Sequence, residues 1–245
     1  SPAGVLGHPD LAEHAAEVSE LVRASRSSLG AVLDPGGERV TFIADDGHVL
    51  SDTEATLAIL TLLARDAPQG RVALPVNAPS AACAILESAG IEVVATKLSN
   101  AALMEAATGS DVGFAVDEDG GFIFPDFLPA FDGAAAFVRL LDLLARTGSR
   151  LSEVVADLPS VSLVHERVVT PWDQKGAVMR SLMELSQGRE VELIDGVKIH
   201  HPNGWALALP DPDEPFTNVW AEADTDLAAR RLAEEYVRRI GELVR

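Results

Sequence analysis

At 245 residues, with 47% hydrophobic and 23% charged side chains, the chain is long enough for one large domain or two ordinary ones, each with its own core. Its 38 acidic against 19 basic side chains leave a formal charge of -19, which repels polyanions and removes nucleic acid from the expected partners. No run approaches the ~20 apolar residues that cross a bilayer, and the N-terminus lacks a basic-then-apolar leader, so the reading is a cytoplasmic protein with no membrane partner.

The first helix is expected after Pro9-Asp10, where Leu11, Ala15, Val18 and Val22 share one face. A buried-strand pattern follows at 31–33, then the turn residues Asp34-Pro35-Gly36-Gly37, then a second strand over 40–44. Ser51-Asp52-Thr53-Glu54 has the form of a capping box, in which the Ser hydroxyl and the Glu carboxylate each satisfy an orphan amide. A helix is therefore expected to start there and run to Leu63. From 71 to 116, strands (72–76, 91–96, 112–116) alternate with helices (80–88, 101–107), the rhythm of a layered α/β domain. An acidic turn at Glu118-Asp119-Gly120-Gly121 leads to an extended stretch at 122–124. Asp132-Gly133 opens a long apolar helix to Leu144, and Leu158-Pro159 closes the domain.

Beyond it the pattern changes. A strand over 163–169 and a helix over 173–185 precede three strands joined at Asp195-Gly196 and Asn203-Gly204, both two-residue hairpin signals, and a last helix starts at Asp226. Strands grouped between helices predict a small α+β domain with an antiparallel sheet, with the boundary near 159–167. Residues 1–50 offer one helix and two strands, too little for an independent core. The lone cysteine, Cys83, sits in an apolar run and reads as a small buried hydrophobe.

Several stretches resemble the α-D-phosphohexomutases, the family of phosphomannomutases and phosphoglucomutases. They are Gly121-Phe122-Ile123-Phe124-Pro125 after an acidic turn, Asp132-Gly133 opening a helix, Leu151-Ser152-Glu153-Val154-Val155 near Leu158-Pro159, and Glu214-Pro215 before Val219. The resemblance implies an α/β architecture: 1–50 as a remnant of the family's second domain, 51–162 as its third, and 163–245 as its fourth, of α+β type. It also implies Mg²⁺ and hexose phosphates as the family's cofactor and substrates. The family's phosphoserine loop belongs to a first domain with no counterpart in 1–245, so no covalent phosphoryl relay and no catalytic residue are expected within these residues.

Three loops carry what the family would bind. Its metal loop reads Asp-x-Asp-x-Asp-Arg; the stretch here is Asp34-Pro35-Gly36-Gly37-Glu38-Arg39, which leaves Asp34 and Glu38 as metal candidates and Arg39 as a substrate-binding candidate. Gly36 offers no side-chain ligand, and no cofactor is expected; read without the resemblance, the hexapeptide is a tight turn. The sugar loop resembles Gly-Glu-x-Ser-Gly, against Val116-Asp117-Glu118-Asp119-Gly120, so Asp117 and Gly120 are substrate-binding candidates on what is otherwise a hairpin tip. The phosphate loop resembles Arg-Pro-Ser-Gly-Thr-Glu-Pro, against Leu209-Pro210-Asp211-Pro212-Asp213-Glu214-Pro215, where Glu214 is the remaining candidate. Leu209 replaces the cation, and a carboxylate ~4 Å from a phosphate charge repels it by about 4 kcal/mol at an effective dielectric near 20. The loop is expected to carry no cation and to reject phosphate.

Residues 170–180 and 200–205 look like the tail of long actinobacterial proteins in which a mannose-1-phosphate guanylyltransferase-like domain comes first. That resemblance implies a role in making GDP-mannose or a similar nucleotide sugar, with an upstream nucleotidyltransferase-like domain or chain as partner. The combined expectation is a degenerate, non-catalytic phosphomannomutase-like module, a pseudoenzyme with a regulatory or assembly role. The alternatives are a divergent phosphomannomutase or phosphoglucomutase, and a sensor of a sugar or nucleotide sugar acting through Asp117 and Lys175. His200 and His201, adjacent on a strand, are expected to face opposite ways. Lys175 and Arg180 read as a solvated helix face or a small basic patch. Trp172, Trp205 and Trp220 read as an aromatic cluster in the core or at an interdomain contact, and the apolar face of the first helix is the candidate for pairing with another chain, a second copy included, or with a missing upstream part.

Overall fold

The computed structural model describes residues 9–66, 70–109, 111–186 and 188–244; the Leu11 side chain, counted above on the first helix face, lies outside them. One compact unit runs to Pro159 and the other from Ser160. Among the described residues no helix is long and apolar enough to cross a membrane.

In the first unit, α1 (Pro9–Ser25) buries Ala15 and Val22 against the antiparallel pair β1 (Leu29–Leu33) and β2 (Val40–Ala44). α2 (Asp52–Arg65) begins at the expected capping box: Ser51 Oγ accepts from Glu54 N at 3.3 Å, and Glu54 Oε2 accepts from Ser51 N at 2.8 Å.

The central sheet contains β3 (Arg71–Pro75), β4 (Val93–Thr96), β5 (Val112–Val116) and β6 (Phe122–Ile123), in the order β4-β3-β5-β6. β3 runs parallel to both β4 and β5, while β6 is antiparallel. The crossovers are α3 (Ser80–Ser88) and α4 (Asn100–Ala107). The chain leaves β3 to one side for β4 and returns past it for β5. The loops after β3 and β5 thus flank a topological switch point, where sheets of this kind hold ligands.

Leu103 and Ala107 of α4 close one face over Ala73, Val112, Ala115 and Ile123. Phe42, Phe122, Phe114 and Phe124 form a run of rings with successive centroids 5.8, 6.2 and 4.9 Å apart, tying β2 to the sheet. α5 (Gly133–Thr147) is capped by Asp132, whose Oδ1 accepts from Ala135 N at 2.8 Å. A further helix, α6 (Leu151–Ala156), is not predicted by the sequence pattern. Its neighbouring Val154 and Val155 lower local helix propensity. The helix start is instead held from afar by Asp45, which accepts from both the amide and the hydroxyl of Ser152 at 3.0 Å.

The second unit is a five-stranded antiparallel sheet of β7 (Leu163–Val169), β8 (Val191–Glu192), β9 (Val197–His201), β10 (Gly204–Pro210) and β11 (Phe216–Ala223), in the order β7-β11-β10-β9-β8. α7 (Lys175–Leu185) and α8 (Asp226–Leu243) cover one face, where Val178, Leu182, Ala233, Tyr236 and Ile240 meet Val168, Val197, Ile199, Val219 and neighbouring alanines. The sequence predicts three strands between α7 and the last helix; the structure adds a fourth, β11. That strand pairs with both β7 and β10, so it is the element that closes the sheet. A layered α/β unit followed by a small α+β unit with an antiparallel sheet is the class the sequence predicts.

Candidate functional site

The turn between β1 and β2 is built on Asp34. Its Oδ1 accepts from Arg39 N at 2.9 Å, its Oδ2 from Gly36 N at 3.3 Å, and its carbonyl from Gly37 N at 3.0 Å. A short aspartate that satisfies the amides of its own turn is what Pro-Gly-Gly permits, since the glycines follow a fixed φ without side-chain cost. From outside the turn, Gly133 N at the start of α5 donates to the Gly37 carbonyl at 2.8 Å.

Opposite lies the hairpin between β5 and β6. Asp117 Oδ1 accepts from Asp119 N at 2.9 Å and from Gly121 N at 2.7 Å, and its Oδ2 stands 2.9 Å from Arg39 Nη2. Arg39 Nη1 lies 3.5 Å from Asp119, and Val40 N donates to the Gly120 carbonyl at 3.4 Å. Arg39, Asp117 and Gly120 therefore meet, with Asp34 behind Arg39.

Burial raises the Asp117 pKa against the pull of the Gly121 amide and Arg39. Burial also lowers that of Arg39, yet Asp117 and Asp119 outweigh it and hold the guanidinium above its ordinary value. The two shifts point in opposite senses for the pair. Three donors converge on the Asp117 oxygens, an arrangement that favours the charged carboxylate and agrees with the direction of the Arg39 shift.

Two residues that sequence reasoning passed over complete the cluster. Asp52, the first residue of α2, is exposed at its outer edge but crowded at its carboxyl: a Cβ on Gly120 would stand 2.7 Å from its Oδ1. Burial, then Asp119 and Asp117, push its pKa up to about 6, with Arg39 opposing. Asn77, buried just after β3, donates from Nδ2 to the Glu118 carboxylate and so links the two sides of the switch point. The only sequence signal for either was position: one follows a strand end and the other follows a cap.

Mg²⁺ requires near-octahedral oxygen ligands. Asp34 spends both oxygens on main-chain amides, Gly36 has no side chain, and Glu38 is exposed. Among the described residues no three His, Cys, Asp or Glu side chains are grouped to hold a metal ion. The residues present do not fit Mg²⁺.

The loop at 209–215, in the second unit, corrects the expectation of a loop without a cation. Arg167 Nη2 pairs with Glu214 and lies 3.7 Å from Asp211 Oδ2. Lys175 Nζ, with 9% of the residue exposed, donates to the Asp211 and Glu214 carbonyls at 2.5 and 2.6 Å. Neither cation belongs to the loop's own sequence. Antiparallel pairing sets Arg167 opposite Asn218, and Thr170 N, donating to the Pro215 carbonyl at 2.8 Å, brings the segment leading into α7 alongside. Glu214 belongs to the second unit, and Arg39, Asp117 and Gly120 to the first.

Lys175 is thus part of no solvated face, whereas Arg180 is exposed. His200 bonds Glu192 while His201 bonds the Tyr236 hydroxyl at 3.0 Å, opposite directions as expected. Trp205 and Trp220 are buried on β10 and β11, but Trp172 is 56% exposed, with Lys175 Nζ 3.6 Å from its ring centre; the three do not form one cluster. Cys83 is half-buried rather than buried.

The fold and the strand-end loops define an α/β protein with a ligand-site topology. Residues 51–161 match the family model of phosphoglucomutase/phosphomannomutase, alpha/beta/alpha domain III. Over 228 residues the chain is 30% identical to a probable phosphoglucosamine mutase of Methanopyrus kandleri, covering 92% of this chain and 50% of that protein. It is 24% identical, with the same coverage, to a phosphoglucomutase/phosphomannomutase of Thermococcus kodakarensis. The chain thus spans about half the length of the curated relatives it matches. Among solved structures, a phosphoglucomutase/phosphomannomutase family protein from Burkholderia thailandensis superposes with a TM-score of 0.77 at 22% identity, covering 96% of this chain and 51% of that one. Aspergillus fumigatus N-acetylphosphoglucosamine mutase, solved with GlcNAc-6P and magnesium, gives 0.63 at 17% identity, covering 93% and 53%. An N-acetylglucosamine-phosphate mutase, a member of the α-D-phosphohexomutase superfamily, superposes with a TM-score of 0.57 at 15% identity, covering 89% of this chain and 49% of that one.

Proposed function

We propose that this chain is a phosphohexomutase-like module that does not itself transfer phosphate, and that it serves a regulatory or assembly role for a cytoplasmic enzyme making a nucleotide sugar of the GDP-mannose type. The observation that carries the reading is the self-closure of the first unit's loops. The Arg39 guanidinium is held by Asp117, and the Asp34 carboxylate by the amides of its own turn. A side chain already satisfied in this way offers little to a sugar or a metal ion without first breaking the internal bond. The partner in this reading is an upstream nucleotidyltransferase-like domain or chain.

The test is calorimetric titration with mannose 1-phosphate and with glucosamine 1-phosphate, each with and without Mg²⁺. No binding heat is expected in any arm. Binding that requires Mg²⁺ would overturn the proposal in favour of a second reading, a divergent phosphohexomutase acting as part of a longer protein. The similarity to a probable phosphoglucosamine mutase favours that second reading and sets the choice of ligand.

A further inference from the structure

We propose that a cavity at the far end of the central sheet from the switch point is a second ligand site of the first unit, and that it takes an uncharged heteroaromatic ring of nucleobase type by the carbonyl and N–H groups of one ring edge. The inference gives the regulatory role proposed above a ligand, and rests on that reading for the role alone.

The cavity, of about 390 Å³, lies where β3 and β5 begin and where α2 ends beside α5. Sites for small molecules commonly measure ~300–1,000 Å³. β3 and β5 run parallel, and four steps of ~3.3 Å put roughly 13 Å of strand between this end and the loops that follow them. The floor is apolar, made by Val72, Phe114, Phe124 and Leu143, all buried. The rim sets Arg71, Arg139 and Arg146 against Asp66, Asp126 and Asp142. Glu92 and Asp111, which pair with Arg71, add two more negative charges, so a free phosphate or carboxylate gains little here, while three guanidinium groups oppose a cation. An uncharged ligand fits this balance. Guanidinium donors and carboxylate acceptors side by side complement a base edge that alternates C=O with N–H, and the Phe floor suits a flat ring.

The rim can open to such a ligand, unlike the buried Asp117 pair. Glu92, Asp111, Asp126 and Asp142 are exposed, and exposed ion pairs contribute little. Arg71 Nε is buried without a hydrogen-bond partner, so turning this guanidinium toward a ligand carbonyl gives up exposed pairs and no buried bond. Asp142, 4.0 Å from Arg139, makes the loosest of the rim pairs and is the acceptor assigned to a ligand N–H. Arg146 is held by both oxygens of Asp66, each at 2.9 Å, and stays as wall.

The strand backbone is interrupted at the same place. Arg71 pairs with Val112 and Val72 with Phe114, which leaves Gly113 as the extra residue of a bulge, a feature rare in parallel pairs. Gly113 is exposed between two buried neighbours and lines the cavity. A bulged glycine carries no side chain there and lets a ring come close to the strand.

The test follows the Gly113 and Phe114 amides by NMR, with those of Asp119 and Gly121 marking the switch point, during titration with guanosine, uridine and benzyl alcohol. Guanosine should move Gly113 and Phe114 saturably and leave Asp119 and Gly121 still. Benzyl alcohol, a ring without the alternating edge, should bind about tenfold more weakly or less. A response to guanosine alone assigns the cavity to a purine, and one to both nucleosides assigns it to the edge chemistry they share. Arg71→Met removes the donor and Asp142→Asn the charged acceptor, and each should weaken guanosine about tenfold or more. Asp142 is exposed, so its variant carries the test if Arg71→Met does not fold. A folded variant of either kind that binds as the native chain does, or benzyl alcohol binding as well as guanosine, overturns the inference. No saturable shift in any arm overturns it and leaves the proposed function standing. A response at Asp119 and Gly121 in place of Gly113 and Phe114 overturns both.

Discussion

Arg39 Nη2 lies 2.9 Å from Asp117 Oδ2, so one ion pair fastens the turn after β1 to the hairpin after β5. The Asp117 side chain is 5% exposed and that of Arg39 is 39% exposed, an asymmetry that sets the consequence of cutting the pair. Arg39→Ala leaves a buried carboxylate without its cation. Solvent reaches the cation side, so the loss should be about 1–2 kcal/mol rather than the 3–5 of a fully buried pair. Urea unfolding measures it. Asp117→Asn should cost less in the Arg39→Ala background than alone, and simple additivity in that cycle would show that the contact contributes nothing.

Asp52 makes the first unit sensitive to mild acid. Its folded pKa, about 6, stands above the ordinary 3.8, so the folded chain binds the proton more tightly than the unfolded one. Stability should therefore rise as pH falls from about 6 toward 4 and be lower above that window. Asp52→Asn should flatten this slope, in part only, because the Asp117 pKa is raised in the same sense. The residue is exposed, so the gain at neutral pH should stay below about 1 kcal/mol, and the lost anion at a helix start offsets a few tenths of it. Denaturation midpoints across the window supply the check; a native chain with no slope there would contradict the reading.

Gly120 has φ of +77°, and a Cβ there would stand 2.7 Å from Asp52 Oδ1. Gly120→Ala should cost about 1–2 kcal/mol, part backbone strain and part contact. Adding Asp52→Ala should recover the contact part and leave about 1 kcal/mol of strain. Full recovery in the double variant would show that φ is not strained.

Lys175→Met keeps the apolar stem and removes the ammonium, leaving the Asp211 and Glu214 carbonyls without their buried donor. A loss of about 2–3 kcal/mol is expected, with faster hydrogen exchange at the Asp213 and Glu214 amides. Arg180→Ala, exposed on the same helix, should stay within about 0.5 kcal/mol and serves as the control. Equal effects at the two positions would return Lys175 to the solvated face first read for it.

Much of the secondary structure was legible because it depends on near neighbours. The capping box at Ser51, the Asp132 cap and the strands over 40–44, 112–116 and 163–169 stand where the residues place them. β11 escaped because Asn218 and Glu222 interrupt its apolar run and prolines crowd its start; its strand character comes from pairing with β7 on one side and β10 on the other. α6 escaped because the carboxylate that caps it belongs to Asp45, 107 residues earlier. The candidate site was legible as three loops, and the structure joins two of them.

The sequence by itself determined the α/β class, the two-part order of elements, the turn at Asp34 and the absence of a cation within the residues of the 209–215 loop. Each is written in local spacing, charge and backbone preference, acting over a few residues. Only the tertiary structure decided that Arg39 would be held by Asp117, that Asp52 would crowd Gly120, and that Arg167 and Lys175 would supply the cations the loop lacks. Those outcomes depend on which distant strands share hydrogen bonds, and strand register is settled by the packing of the whole sheet, where a one-residue slip would turn every side chain to the opposite face.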